Sequence, residues 1–254
     1  MSPASTGVVL AAGKGRRISD LPLTRVLPKC MLPILDRPIL HYVLDNMKTL
    51  GVKDIIVVVG SSRAVIEKYF GDGTGFGVKI RYFHQVRPQG IAHAIGLLEH
   101  IISNSFFVAL GDDLTIASNL SEMKNLFYSN GACAVEAVVK EDDFPTLRRT
   151  CCVEMDMDGR IINLTEKPRN PSSTMRGCGL YLFSQRVFDY IRQTKKSHLR
   201  NEKEITDTLR LMAHDGLVYG FKMDGTNVNI NTTADLLRAV HLVSGQGTLA
   251  ATLV

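Results

Sequence analysis

Four short apolar runs, separated by stretches of helical period, fill the first 110 residues of the chain. This alternation restricts the fold more than any other feature. Gly7–Leu10, Asp54–Gly60, "VKIRYF" from Val78 and Ser105–Leu110 are rich in β-branched and apolar residues and have the length of strands. Between them, Pro38–Leu50, Arg63–Phe70 and Gly90–Ile102 read as helices. In the first of these, Ile39, Val43 and Met47 recur four residues apart, Leu40 and Leu44 share their face, and Gly51 stands at the expected stop. Strands joined through helices imply right-handed parallel crossovers. The expected class is therefore α/β, a single Rossmann-like mixed, mainly parallel sheet flanked by helices. Ligands in such sheets sit beyond the carboxyl ends of strands, at a switch in strand order. A glycine loop after the first strand and "GDD" (Gly111–Asp113) after the fourth both fall at such ends, so they are expected to converge.

The later half is mixed. Asn119–Asn130 reads as a helix closed by Gly131, and Ala132–Val139 as a strand. Cys151–Pro168 resembles a hairpin turning at Asp158–Gly159. Gly177–Phe183, Gly216–Met223 and Asn227–Ile230 read as strands, and Lys203–Asp215 as a helix. Thr232 and Asp235 fit a capping box for a final helix through about Val243. No linker composition interrupts the chain, so residues 1–254 are expected to form one domain with an inserted or appended lobe.

A chain of 254 residues can bury a core of its own. Lys plus Arg is 30 and Asp plus Glu is 25, a net charge of 30 − 25 = +5. With 7% aromatic residues and no Trp, the chain lacks the basic stripe and stacking platforms of a nucleic-acid binder. Cysteines at 30, 133, 151, 152 and 178 show no C-x-x-C spacing, which argues against a zinc site. Their odd number and the adjacent Cys151–Cys152 argue against a disulfide framework, so a reduced, cytoplasmic protein is expected. No apolar run approaches the roughly 20 residues of a membrane span, and no membrane partner is expected.

The glycine loop lies in "LAAGKGRRISDLPLTRVLPKCMLPI" (Leu10–Ile34). It fails the G-x-G-x-x-G fingerprint, because Ile18 stands where the third glycine belongs, and it fails G-x-x-x-x-G-K-[ST] as well. A nicotinamide enzyme and a P-loop enzyme are both disfavoured. The loop's physics still suits phosphate. Gly13 and Gly15 let backbone N–H groups come close, and Arg17 and Lys29 can add charge-assisted bonds.

The same stretch resembles the signature of the sugar-phosphate nucleotidylyltransferases, or nucleotide-sugar pyrophosphorylases, a family that includes related cytidylyltransferases. That signature reads roughly L-A-A-G-x-G-T-R-L, P-L-T, then P-K-x-L-L-P-V. Here the matches are "LAAGKGRRI", "PLT" at 22–24 and "PKCMLPI" at 28–34. "HQVRPQGIAHAI" (His84–Ile95) is similar to the family's base-binding segment, "LGDD" (Leu110–Asp113) to its metal-binding turn and "EKP" (Glu166–Pro168) to its acceptor motif. "VNINTTADLLRA" (Val228–Ala239) is similar to its closing motif. The resemblance covers nearly the whole chain. It implies a nucleotidyltransferase (GT-A-like) fold, a nucleotide-binding part over about residues 1–115 and an acceptor-binding part over about 116–254. It leaves a homo-oligomer open.

The reaction implied is attack by a phosphate oxygen of the acceptor on the α-phosphorus of a nucleoside triphosphate, with release of pyrophosphate. Arg17 and Lys29 match the family's catalytic cations. Leu10, Ala12, Gly13, Gly15, Gln85, Gly90 and Asp112 match nucleotide contacts. Asp112 and Asn229 fall at the positions that hold Mg2+, the implied cofactor. Glu166 and Lys167 match the acceptor contacts. Asp113 reads as a turn or ribose neighbour, and His93 as packing near the base.

Some positions depart from the pattern. Arg16 replaces threonine, and Asn231–Thr233 replaces G-T-P. Cys151–Cys152 stands where the family has Y-G against the hexose. Three readings stay open: a sugar-1-phosphate nucleotidylyltransferase, a CTP-dependent enzyme for a phosphonate or phosphoalcohol, and a catalytically silent regulatory subunit.

Overall fold

The computed structural model describes residues 4–13, 18, 21–197 and 201–251. Strand β1 (Thr6–Ala11) leads through short 3-10 turns to the small hairpin β2 (Pro33–Ile34) and β3 (Arg37–Pro38), then to helix α1 (Ile39–Thr49). Strand β4 (Asp54–Val59), helix α2 (Arg63–Phe70), strand β5 (Lys79–His84), helix α3 (Ile91–Gly96) and strand β6 (Phe106–Leu110) complete the first part. Next come β7 (Asp113–Ala117), α4 (Met123–Ser129), β8 (Ala134–Lys140) and α5 (Phe144–Leu147). The hairpin β9 (Cys151–Met155) and β10 (Ile161–Glu166), the long β11 (Met175–Phe183) and helices α6 (Val187–Gln193) and α7 (Ile205–His214) follow. Strands β12 (Val218–Lys222) and β13 (Gly225–Asn229) and helix α8 (Thr233–Ala251) close the chain.

The main sheet runs β5-β4-β1-β6-β11-β8-β12. Strands β5, β4, β1 and β6 are mutually parallel, as the alternation of runs predicts. Strand β11 pairs antiparallel with both β6 and β8, and it meets the β9–β10 hairpin at Arg176 and Cys152. After β1 the chain builds outward through β4 and β5, then returns to the other side of β1 with β6. That reversal is the switch point at which open α/β sheets bind ligands. Gly111 N–H donates to Leu10 O across it at 3.0 Å, which locks the ends of β1 and β6 together.

Alternation along each strand gives the sheet two apolar faces. Val9 and Ala11 pack in one layer with Leu40, Val43, Leu44 and Met47 of α1, and Val8 packs in the other with α3, α6 and α7. Each such side chain contributes about 1.5–3 kcal/mol when fully buried, so a charged residue at Leu44 would break the first layer. A third cluster joins Leu32, Ile34, Leu114, Val228 and Ile230 beneath α8. It holds the loop around Lys29 against the two-stranded β7–β13 ribbon, in which Asp113 pairs with Asn229. The capping box is present: Asp235 Oδ2 accepts from Thr232 N at 2.8 Å, and Asp235 N donates to Thr232 Oγ1 at 3.2 Å. Among the described residues no helix is long and apolar enough to cross a membrane.

Several elements differ from the sequence reading. The helix expected over Gly90–Ile102 spans Ile91–Gly96 only, and the chain then tightens into turns with bonds such as Leu98 N to Ile95 O. The tighter winding still buries Leu98 and Ile102, so apolar spacing alone did not reveal it. The final helix runs to Ala251, beyond Val243. Asp113 opens a strand instead of ending a turn, because β13 returns to pair with it. Helices α5 and α6 had no counterpart in the sequence reading.

Candidate active site

A cavity of about 690 Å³ opens at the carboxyl ends of β1 and β6, within the range of small-molecule sites. Leu10, Ala12, Gly13, Gln85, Gly90 and Asp112, the candidate nucleotide contacts within the described residues, all line it. Gly15 and Arg17 lie outside the described residues.

The charged end of the cavity is built by three distant segments. Lys29 is buried in a 3-10 turn after Pro28. Its Nζ donates to Asp112 Oδ2 at 2.5 Å and to Asn231 Oδ1 at 3.0 Å. Asn231 Nδ2 in turn donates to Asn229 Oδ1, and Asn229 Nδ2 donates to Asp113 Oδ1. The other oxygen of Asp113 accepts from Gly179 N at 3.0 Å. Asp113 is thus a buried brace between β7, β11 and β13 that also lines the cavity, rather than a turn residue. Burial first, and then the charge of Asp112, push its carboxyl up to about 6. Lys29, Asp112, Asn229 and Asn231 all line the cavity.

The middle of the cavity is shaped by backbone. Gly90 has φ +104°, and a Cβ there would lie 2.2 Å from Lys203 O. Only glycine lets the start of α3 dock on the segment before α7, where Lys203 O accepts from Ala92 N at 3.1 Å. Gln85 is buried, and its Nε2 stands 3.1 Å from His93 Nδ1. Burial, and then Lys203 and Lys196, lower the His93 pKa, and its Nδ1 shares a hydrogen bond with that amide whose direction follows the ring tautomer. His93 therefore orients Gln85.

The far end is carried by the β9–β10 hairpin and α7. Lys167 directly follows β10 and adopts φ +49°, a left-handed conformation that side-chain-bearing residues seldom take. Its N–H donates to Thr150 O at 2.8 Å, which fixes this turn. Lys167 Nζ stands 3.5 Å from Glu166 Oε1, and Thr206 Oγ1 donates to Glu166 Oε2 at 3.2 Å. The two adjacent cysteines part company, as neighbours on a strand must. Cys151 lines the cavity, whereas Cys152 is buried with its Sγ toward Ser173 O at 3.3 Å. Burial, then Glu136 and Glu166, raise the Cys151 pKa well above the ordinary thiol value.

One cavity therefore holds a lysine–aspartate pair with amide oxygens at one end and a glutamate–lysine pair at the other. The family model described as nucleotidyl transferase matches residues 6–241, which includes every one of these groups. The chain belongs to the nucleotidyl transferase family. It is 33% identical over 251 residues to the glucose-1-phosphate thymidylyltransferase of Mycolicibacterium smegmatis, covering 94% of this chain and 84% of that one. It is 31% identical over 239 residues to the low-salt glycan biosynthesis nucleotidyltransferase of Haloferax volcanii, covering 93% of this chain and spanning 65% of that protein's length. The crystal structure of a UDP-glucose pyrophosphorylase with UDP-glucose superposes with a TM-score of 0.85 at 25% identity, over 96% of this chain and 99% of that one.

For a nucleotidyl transferase, several cavity residues carried no functional reading in the sequence. Asn231 was noted only as a departure from G-T-P, yet it bridges Lys29 and Asn229. Arg149 and Thr150, just before β9, and Glu202 and Glu204, just before α7, also line the cavity. Glu136 lines it from the middle of β8. Its signal was available, a lone carboxylate in the apolar run "ACAVEAVV".

Proposed function

We propose that this nucleotidyltransferase joins a nucleoside triphosphate to a sugar-1-phosphate-like acceptor, forming a nucleotide sugar and pyrophosphate. The observation that carries the reading is the two-ended cavity, with Lys29, Asp112 and Asn229 facing Glu166 and Lys167. The acceptor phosphate oxygen would attack the α-phosphorus, and the bond from that phosphorus to the bridging oxygen of the β-phosphoryl group would break. No general base is needed, because the attacking phosphate is already anionic.

The chain's part is to align two anions and offset the charge that builds on the leaving group. Backbone N–H groups near Gly13 and the ammonium of Lys29 suit the triphosphate, and Arg17 joins them by its motif position. Gln85, oriented by His93, would offer its carbonyl oxygen to a base N–H. Lys167 would hold the acceptor phosphate, and Glu166 its hydroxyl groups.

The donor set fits magnesium, which takes few protein oxygens and completes its shell with phosphates and water. Asp112 and Asn229 supply a carboxylate and an amide oxygen on adjoining strand ends, and both line the cavity. A bound magnesium ion would withdraw charge from the phosphate oxygens. Lys29 and Asn231 would keep the two ligand side chains in place. Five free thiols support work in the reducing cytoplasm.

The test is pyrophosphate release with magnesium across UTP, dTTP, CTP, ATP and GTP, each paired with a set of hexose 1-phosphates. Turnover with a sugar 1-phosphate is expected. Absence of turnover with every pair would overturn the reading.

A further inference from the structure

Glu136 is a carboxyl group that the reaction above leaves without a role. It is 1% exposed in the middle of β8, and its Oε2 has no hydrogen-bond partner among the described residues. Its neighbours Val135 and Ala137 pack in one core layer, while Ala134 and Val138 pack in the other. Alternation turns Glu136 toward the second layer, at the acceptor end of the cavity that it lines. Tyr181 stands opposite it on β11. Gly177 makes the space: a Cβ there would lie 2.4 Å from Glu136 Oε1.

A buried acceptor without a partner costs roughly 1–3 kcal/mol, so a bound molecule that supplies a donor would recover it. The surrounding charge points to the nature of that donor. Glu136 and Glu166 line the cavity together with the cations Lys167 and Arg149, and Lys167 stands 3.5 Å from Glu166. Arg176 is engaged elsewhere, donating to Asn227 Oδ1 at 2.9 Å and standing 3.5 Å from Glu141. An acceptor's phosphate would take the available cations and leave the carboxylates in excess. A hydroxyl offers one proton to that excess and no charge. An ammonium offers three donors and a charge, and lets Glu136 and Glu166 both ionise. Burial, and then Glu166, push Glu136 up to about 8.

We propose that Glu136 and Glu166 together receive a primary ammonium group of the acceptor, so that the acceptor is a phosphorylated amine. This rests on the nucleotidyl-transfer reading, and it makes Glu136 a specificity-determining residue. The ammonium could belong to an amino sugar 1-phosphate or to a small aminoalkyl phosphate or phosphonate.

The test compares acceptors that differ only in the amine. Pyrophosphate release is measured with glucose 1-phosphate, glucosamine 1-phosphate and N-acetylglucosamine 1-phosphate, with phosphoethanolamine against 2-hydroxyethyl phosphate, and with 2-aminoethylphosphonate against 2-hydroxyethylphosphonate, across UTP, dTTP and CTP. The wild type is expected to favour an amine-bearing acceptor over its hydroxyl or acetylated counterpart at least about tenfold in kcat/KM. Glu136→Gln is expected to collapse that ratio. Preference for glucosamine 1-phosphate assigns the amine to a sugar, and turnover confined to the two small amines assigns it to an aminoalkyl acceptor. A wild type that favours glucose 1-phosphate or the acetylated sugar overturns the proposal, whatever the variant does. So does a ratio that Glu136→Gln leaves unmoved. Both outcomes leave nucleotidyl transfer standing. Absence of pyrophosphate with every pair overturns both readings.

Discussion

Lys29 Nζ lies 2.5 Å from Asp112 Oδ2, although 83 residues separate the two in the chain. The contact ties the loop after Pro28 to the end of β6, at the point where a triphosphate would lie over the switch in strand order. The side chain of Asp112 is 31% exposed against 8% for Lys29, so water reaches the carboxylate that stays behind when the lysine is removed. Lys29→Met is therefore expected to fold with a nearly unchanged Tm and to lose about 10²–10³-fold in kcat, the usual loss when one electrostatic donor is removed. The acceptor KM should move much less. Steady-state pyrophosphate release and a melting curve check both expectations, and a kcat close to wild type would show that Lys29 does not face the reacting phosphates.

Lys167 combines a proposed phosphate contact with a left-handed backbone at φ +49°. The two can be separated. Lys167→Ala and Lys167→Gly both remove the ammonium, and each should raise the acceptor KM by about tenfold or more with a smaller change in kcat. Only the alanine keeps a Cβ in a conformation that costs roughly 1–2 kcal/mol. The glycine variant should therefore melt higher than the alanine variant. Equal melting temperatures would mean that the turn is not held against its own preference.

Gly90 separates structure from chemistry in another way. A Cβ would meet Lys203 O at 2.2 Å, and the φ of +104° disfavours any other residue. Gly90→Ala should therefore destabilise the fold by at least about 1–3 kcal/mol, the scale of backbone strain. The docking of the start of α3 on the segment before α7 should loosen as well, visible as faster amide exchange at Ala92 and Lys203. An unchanged Tm would contradict this packing account.

The parts of this molecule visible in the sequence are those with local periodicity. The alternation of β1, β4, β5 and β6 with helices is written in the spacing of Val, Ile and Leu, because each strand and helix buries one repeating face. The loops at strand ends stand out because glycines, lysines and aspartates interrupt those faces. Contacts between distant side chains leave no such mark. Nothing around Asn231 announces that it will bridge Lys29 and Asn229. Cys151 and Cys152 look alike in sequence, and only the facing of β9 sends one to the cavity and the other to the core. Asp113 could be read as a turn because its partner strand, β13, lies more than a hundred residues away.

Glu136 gives a prediction that needs no substrate. Unfolded, its carboxyl titrates near the ordinary 4.5, whereas burial and then the charge of Glu166 push it up to about 8 in the fold. Among the described residues, the titratable groups coupled to it are Cys151 on β9, Glu166 on β10, and Cys178 and Tyr181 on β11, none of them a cation. Between these two pH values the folded chain holds a proton that the unfolded chain has lost. The stability associated with this group is therefore full below about 4.5 and drains away as the pH rises toward 8. Glu136→Gln keeps the shape and has no proton to lose. Its Tm should lie near that of the wild type in acid and rise above it with pH, because a proton held only by the fold costs about 1.4 kcal/mol for each tenfold fall in proton concentration. For a chain of this size that is roughly 2–4 °C per kcal/mol. Melting curves of both proteins at half-unit steps from pH 5 to about 8.5 would show the gap opening across that window. A constant gap would mean that Glu136 does not take up a proton on folding, and that the acceptor end already supplies the partner its second oxygen is here seen to lack.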